Sequence, residues 1–190
     1  MIIDAGMNTL CRPVNYVQFA VMGSVFMEQM FKKENPQVGL VNVGTEEEKG
    51  STLIKDAYNL LKGFSNLNFV GFVEAREIFD DTCDVIVTDG FTGNNVLKTI
   101  EGTAYFILHE LKTAIKSGGL FTKLGALFLK GSLKSLINKI DYRSYGGTFF
   151  LGINGILVKA HGSSDAEAIS NAIFVATKAA KFDLLSKIEL

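Results

Sequence analysis

The stretch from Asp84 to Gly102, DVIVTDGFTGNNVLKTIEG, limits the fold more than any other part of the chain. Asp84-Val85-Ile86-Val87-Thr88 is a short, β-branched and nearly continuous apolar run. A strand buried on both faces of a parallel sheet reads this way. Asp89-Gly90 ends the run, and a helical pattern beginning near Asn94 carries Lys98, Ile100, Ala104, Ile107, Leu108 and Leu111. Strand, tight glycine loop and helix in that order put Gly90, Thr92, Gly93, Asn94 and Asn95 where ligands bind in open α/β sheets. The free amides and positive end of the helix favour an anion there. Two glycines permit close backbone approach. Thr92, Asn94 and Asn95 offer neutral hydrogen bonds, and Lys98 adds positive charge about one turn in. A second reading stands beside this one. DGFTG is neither a Walker A loop nor a GxGxxG fingerprint, and many strand-to-helix turns use Gly and Asn for shape alone.

The residues before this stretch repeat the same alternation. Met1 to Asp4 reads as the end of a strand, with a turn at Ala5-Gly6-Met7-Asn8, so an earlier portion of the domain is expected outside the chain. Pro13 suits a first helical position, and Val14 to Lys33 forms a long helix, apolar almost all round and so buried on more than one side. Val38 to Gly44 and Asn68 to Val73 read as strands, Ser51 to Lys62 as the helix between them, and Glu74 to Phe79 as a short helical turn. Strands alternating with helices imply βαβ units and a parallel sheet. Glu46, Glu47 and Glu48 are three consecutive acids pointing in different directions, which favours a solvated loop over a metal site. Glu74 and Arg76 sit at a strand end, and a surface ion pair is the commoner explanation for them.

Composition sets the outer bounds. A chain of 190 residues suffices for one α/β domain with a sizeable core, and 47% hydrophobic with 21% charged residues is globular rather than disordered. A net charge of −1 argues against nucleic acid as a partner. Cys11 and Cys83 have no metal-ligand or CxxC spacing and are expected to be small buried hydrophobes in a reducing cytosol. Neither an 18-residue apolar run nor a signal peptide is present, so the protein is expected to be soluble or to lie on a membrane surface.

Residues 111–140 differ in kind. They hold no Asp or Glu and six lysines: Lys112, Lys116, Lys123, Lys130, Lys134 and Lys139. Since the whole chain carries −1, the remainder carries −7. Leu120, Phe121, Leu124, Leu127, Phe128 and Leu129, then Leu133, Leu136, Ile137 and Ile140, make two apolar stripes separated at Gly131-Ser132. Cationic amphipathic helices of this kind contact membrane surfaces or partner helices. An ordinary hairpin packed on the domain or on a dimer mate is the alternative. The missing acids favour a membrane or an acidic partner, because a merely solvated face mixes both signs.

Beyond the polar loop 141–147, Thr148 to Leu151 and Ile156 to Lys159 read as strands, and a final helix spans Ala166 to Lys187. Between them lies a second strand–glycine–helix crossing with Lys159, His161, Ser163 and Ser164. Alone, His161 reads as a structural histidine and Ser-Ser-Asp as a helix cap. Together they make a second candidate phosphate or acid/base site. The expected organisation is a single unit over 1–190 with the 111–140 hairpin projecting from it.

Four stretches carry a family resemblance: DAGMNTLCRPVNYVQFAVMGSVFMEQM, NPQVGLVNVGTEEEKG, DVIVTDGFTGNNVLKTIEG and YRSYGGTFFLGINGILVKAHGSSDAEAISNAI. The chain resembles the carboxy-terminal part of the bacterial phosphate acyltransferases, the acyl-ACP:phosphate transacylases. The resemblance implies a three-layer α/β/α sandwich with a mostly parallel sheet, similar to isocitrate and isopropylmalate dehydrogenases. It implies transfer of a fatty acyl group from acyl carrier protein to inorganic phosphate, giving acyl phosphate for phospholipid synthesis. It also implies a cytoplasmic homodimer held peripherally on the inner face of the cell membrane, with no cofactor and no metal. Family members are longer at the amino end, so the chain is truncated relative to them. A catalytically incomplete fragment that binds membrane or carrier protein, and a phosphotransacetylase-like enzyme using acyl-CoA, are the alternatives.

The implied reaction is attack of a phosphate oxygen on a thioester carbonyl, which needs no enzyme nucleophile. The site must hold the phosphate dianion, stabilise the oxyanion and release the thiolate. On the resemblance, Gly90 to Asn95 and Lys98 bind phosphate. Lys159 and His161 supply positive charge or proton transfer, Ser163 and Ser164 donate hydrogen bonds, and Asp4, Asn8 and Asp89 orient their neighbours. Leu120, Phe121, Leu124, Leu127 and Phe128, with Lys123, Lys130 and Lys134, face the membrane.

Overall fold

The computed structural model describes residues 1–140, 147–160, 162 and 164–188, and of 134 and 136–140 the backbone alone. The chain divides into two compact units. The first comprises Met1–Leu97, Leu151–Ile156 and Thr177–Leu190, and the second Lys98–Phe150 and Leu157–Ala176.

The first unit is built on four parallel strands, β1 (Ile2–Ile3), β2 (Gln37–Val41), β3 (Asn68–Val73) and β4 (Val85–Val87), in the order β1-β4-β2-β3. Val38 pairs with Val85 and Leu40 with Val87, while Ile3 flanks Val87 from the other side. Side chains alternate along a strand, so Ile3, Val38, Leu40, Phe72, Val85 and Val87 share a face. That face meets Tyr16, Phe19, Ala20 and Met22 of α1 (Pro13–Phe31) and Ala57 and Leu61 of α2 (Thr52–Lys62). Val73 and Ile86 point the other way and are buried too. The short apolar run is therefore covered on both faces, as its composition implies.

Local chemistry explains the helix ends. Pro13 sits in the first turn of α1, where its missing N–H goes unmissed. The helix stops at Lys32, which adopts a left-handed conformation. Gly23 brings α1 down onto the sheet: a β-carbon there would lie 2.5 Å from Val85 Cγ1. Ser51 Oγ accepts the Ile54 N–H at 3.4 Å and caps α2. Residues 75–79 form a 3-10 turn, from which Arg76 pairs back with Glu74 at 2.9 Å, the expected surface ion pair. Cys11 and Cys83 are half-buried rather than fully buried.

The carboxyl-terminal segment of this unit seats on α1. Ala179 and Leu184 are buried, Lys178 Nζ donates to the Met30 carbonyl at 2.6 Å, and Lys187 Nζ to Gln29 Oε1 at 2.8 Å. Lys32 lies over the Phe182 ring, 4.1 Å from its centre.

The second unit holds most of α3 (Gly90–Ser117), then α4 (Leu120–Ile140), an antiparallel ribbon of β5 (Thr148–Phe150) and β6 (Leu157–Lys159), and most of α5 (Ala166–Lys181). Asp165 Oδ1 accepts the Ala168 N–H at 2.9 Å at the start of α5. The helix ends at Lys181, short of Lys187, because a 3-10 turn replaces its last residues. The break between α3 and α4 falls at Gly118-Gly119, not at Gly131-Ser132. A lone helical glycine costs only about 1 kcal/mol against alanine, which a long helix tolerates, whereas paired glycines end one. Five α-helices among the described residues and a mostly parallel sheet make this an α/β protein, consistent with a three-layer α/β/α arrangement.

Candidate functional site

Parallel strands deliver their carboxyl ends to one edge of the sheet. With β4 between β1 and β2, the loops 4–12, 42–51 and 88–89 leave that edge side by side. The loop after β1 is organised by one carboxylate. Asp4, buried at 6% exposure, accepts the Gly6 and Met7 amides on Oδ1, both at 2.9 Å. Its Oδ2 accepts the Asn8 amide at 2.6 Å and Asn8 Nδ2 at 2.8 Å. Burial alone pushes this carboxyl up, but the hydrogen bonds from Met7, Asn8 and Gly6 outweigh it and the net direction is down.

The helix after β4 starts at Gly90 rather than near Asn94, so Gly90 to Asn95 form its first turns instead of a loop. Asp89 is the reason. Its Oδ1 accepts the Thr92 amide at 2.8 Å and its Oδ2 the Thr92 hydroxyl at 2.9 Å, an N-terminal cap that starts the helix four residues early. The Gly90 amide donates to the Asn8 carbonyl at 2.8 Å and the Gly93 amide to the Asp89 carbonyl at 2.9 Å. The two glycines serve the chain's own backbone. A β-carbon on Gly90 would stand 2.9 Å from the Asn8 nitrogen, and one on Gly93 would overlap the Asp4 carbonyl oxygen. Asn94 is exposed, with its Oδ1 3.5 Å from where a β-carbon on Gly6 would stand. Asn95 Nδ2 donates back to the Phe91 carbonyl at 2.8 Å.

The structure thus brings together Asp4, Asn8, Asp89, Gly90, Thr92, Gly93 and Asn94. Of the other candidates, Lys98 belongs to the second unit, where its ammonium pairs with Glu101 at 2.6 Å. Lys159 is exposed at the end of β6, and Ser164 is half-buried just before α5. His161 and Ser163 lie outside the described residues. In the loop after β2, Asn42 Nδ2 ties the turn by donating to the carbonyls of Gly44 (3.0 Å) and Lys49 (3.2 Å). Glu46 pairs with Lys49 at 2.8 Å and Glu47 with Lys62 at 2.9 Å. Among the described residues no group of three His, Cys, Asp or Glu side chains is placed to hold a metal ion.

One residue of this cluster goes unnoticed in the sequence. Tyr16 of α1 is 1% exposed, and its buried hydroxyl has no partner at hydrogen-bonding distance. Burial and the charge of Asp89 push its pKa well above the ordinary phenol value, with the charge of Cys11 acting in the same direction. In the sequence Tyr16 reads as one more apolar position of α1, three residues before Phe19, whose ring it meets edge-on at 6.3 Å. Cys11 lies close by, its thiol directed to the Asn8 carbonyl at 3.3 Å. Burial and the carboxylates of Asp89 and Asp4 push that thiol up, which makes it a poor nucleophile.

In the second unit α4 carries an apolar stripe in the open. Leu120, Leu124 and Leu127 are exposed, Phe121 is 89% and Phe128 is 87% exposed, and Lys123 and Lys130 lie on the same helix. The side chain of Lys134 is outside the description. No described helix is long and apolar enough to cross a membrane.

Residues 1–187 match the family model described as "Fatty acid synthesis protein". Among curated proteins the chain is similar to the phosphate acyltransferase of Petrotoga mobilis, 66% identical over 190 residues covering all of this chain and 58% of that protein. It is 51% identical to the phosphate acyltransferase of Thermotoga maritima over 189 residues, with coverage of 100% and 58%. It is 52% identical to that of Clostridium perfringens strain SM101 over 188 residues, with coverage of 99% and 55%. The chain spans somewhat more than half the length of these relatives.

Proposed function

The chain belongs to the fatty acid synthesis protein family, and from that premise we propose that it carries part of a phosphate acyltransferase site. At this site a fatty acyl group passes from acyl carrier protein to inorganic phosphate, giving acyl phosphate for phospholipid synthesis. The observation that carries the reading is the meeting of the Asp4–Asn8 loop and the first turn of α3 at the carboxyl edge of a parallel sheet. Anions favour that end of a helix, and the likeness to phosphate acyltransferases supports phosphate as the anion.

Phosphate is nucleophilic at neutral pH, so the protein's task is to hold it against the thioester carbonyl and stabilise the oxyanion. Thr92, Asn94 and Asn95 bind the phosphate in the turn from Gly90 to Asn95, where the Gly90 and Gly93 amides are taken by the Asn8 and Asp89 carbonyls, with Lys98 once it leaves Glu101. Lys159 and His161 supply positive charge or a proton to the departing thiolate, Ser163 and Ser164 donate hydrogen bonds, and Asp4, Asn8 and Asp89 hold the framework. The proposal includes a three-layer fold of the isocitrate and isopropylmalate dehydrogenase kind, and a homodimer on the cytoplasmic face of the membrane. The exposed apolar stripe of α4 supports the membrane contact. The six lysines in the sequence of residues 111–140 add about 1 kcal/mol each near anionic lipid, on the order of 6 kcal/mol at most.

The test incubates the chain with fatty-acylated carrier protein, with and without inorganic phosphate, and traps acyl phosphate with hydroxylamine. Phosphate-dependent hydroxamate is the expected result, reduced at least tenfold by His161→Ala. Lipid binding without turnover would favour a binding module instead, and turnover of acetyl-CoA in place of the acylated carrier would favour a phosphotransacetylase.

A further inference from the structure

A phosphate oxygen that attacks a thioester must sit about 3–3.5 Å from the carbonyl carbon. The acyl group therefore begins beside the phosphate, and its chain has to cross the surface next to it. Among the described residues of the first unit that surface differs by direction. Towards β2 and β3 it is charged. The loop after β2 sets Glu46, Glu47, Glu48 and Lys49 behind Val43, and the turn after β3 opens on Glu74 and Arg76. Towards β1 it is apolar. Met7 and Phe91 are exposed and Leu10 is 95% exposed. Met7 and Phe91 are neighbours because the first turn of α3 is tied to the loop after β1. The Gly90 amide donates to the Asn8 carbonyl at 2.8 Å, and the Met7 nitrogen lies 3.0 Å from where a β-carbon on Gly90 would stand. Phe91 comes directly after Gly90 and directly before Thr92, and Leu10 lies in the same loop as Met7. None of the three belongs to the hydrophobic core, so the fold makes no use of their apolar surface. Single exposed apolar residues are ordinary, whereas a group of them beside a ligand site marks a binding surface.

We propose that Met7, Leu10 and Phe91 form the acyl-chain subsite: the fatty chain lies across them with its carbonyl end at the phosphate held by Thr92, Asn94 and Asn95. The proposal rests on the reading that this helix end binds phosphate. The reaction itself selects the occupant. A chain leaving the carbonyl carbon has two directions along this edge of the sheet, and only the one over Met7 and Phe91 is free of charge. Each methylene withdrawn from water gains affinity, up to about fourfold when fully buried. An open surface covers the chain on one side, so the gain per methylene is smaller but accumulates with chain length. The three residues thereby favour long acyl groups over acetyl.

The test titrates the 190-residue chain by calorimetry with inorganic phosphate, ethyl phosphate and octyl phosphate, all kept below micelle formation. An alkyl phosphate carries the headgroup and chain of an acyl phosphate without its labile carbonyl. Octyl phosphate is expected to bind at least tenfold more tightly than ethyl phosphate. Met7→Ser with Leu10→Ser is expected to cut that advantage below threefold and to leave the Kd of inorganic phosphate within twofold of the parent. Phe121→Glu with Phe128→Glu, on the apolar stripe of α4, should preserve the advantage. Equal Kd values for ethyl and octyl phosphate, with inorganic phosphate bound, overturn the subsite and leave the phosphate reading intact; the apolar surface then belongs to a polypeptide partner. An octyl advantage that survives the Met7 and Leu10 changes, or disappears with the α4 changes, also overturns the subsite, because the chain then runs elsewhere. Loss of inorganic phosphate binding in the Met7 and Leu10 variant overturns it by making those residues structural. No inorganic phosphate bound by the parent chain removes the phosphate reading and the proposal with it.

Discussion

Replacing Asp4 by Asn keeps shape and volume and removes only charge and one acceptor. In the parent chain four donors converge on this carboxylate, two on each oxygen, and the group is 6% exposed. The amide retains one oxygen for two of them and turns an NH2 group toward the other pair. Hydrogen bonds to a charged group contribute about 1.5–3 kcal/mol each, so losing two costs about 3 kcal/mol or more. For a chain of this length that is a fall of roughly 6–12 °C in melting temperature. The pH dependence has a definite sign. The folded carboxyl titrates below its ordinary 3.8, so its contribution is complete above that value and is lost as pH falls through the lower, folded one. Calorimetric melts of Asp4→Asn should therefore differ most from the parent at neutral pH, and the curves should converge on acidification. A deficit at pH 7 under about 2 °C, equivalent to less than about 1 kcal/mol, or a deficit unchanged in acid, would refute the argument.

Two glycines on α3 should respond in opposite directions. Gly93→Ala drives a β-carbon into the Asp4 carbonyl and is expected to lower the melting temperature despite better helix propensity. Gly102→Ala, with nothing within 4 Å, should gain up to about 1 kcal/mol; equal shifts in thermal melts would contradict the packing described. Phe121→Glu with Phe128→Glu, two open positions on α4, should abolish co-sedimentation with anionic liposomes and leave the helical circular dichroism unchanged.

How far the sequence carried depended on which interaction decided each element. The parallel strands were legible because their runs are apolar without alternation, and that follows from burial on both faces of β4 and β2. Ser51 and Pro13 marked helix starts by their own chemistry. The start of α3 was not legible to within four residues, since Asp89 caps Thr92 through a contact that only some Asp residues in turns make. Gly90 and Gly93 were visible as glycines, but their use was not. Their neighbours come from residues 4–8, more than 80 positions earlier, and only the β1–β4 pairing brings the two together. Tyr16 was invisible as part of the cluster because an aromatic on an apolar helix looks the same whichever way its hydroxyl ends up facing.

The seating of residues 177–188 on α1 bears on how the protein is made. A ribosome completes all four parallel strands about 90 residues before it reaches Thr177, an interval of roughly 5–20 s at ordinary elongation rates. During that time the last turn of α1 lacks the lysines that bind its carbonyl and glutamine, and the place of Ala179 and Leu184 is empty. The sheet is thus clasped late by residues 177–188, and a change in that segment will be felt first by α1.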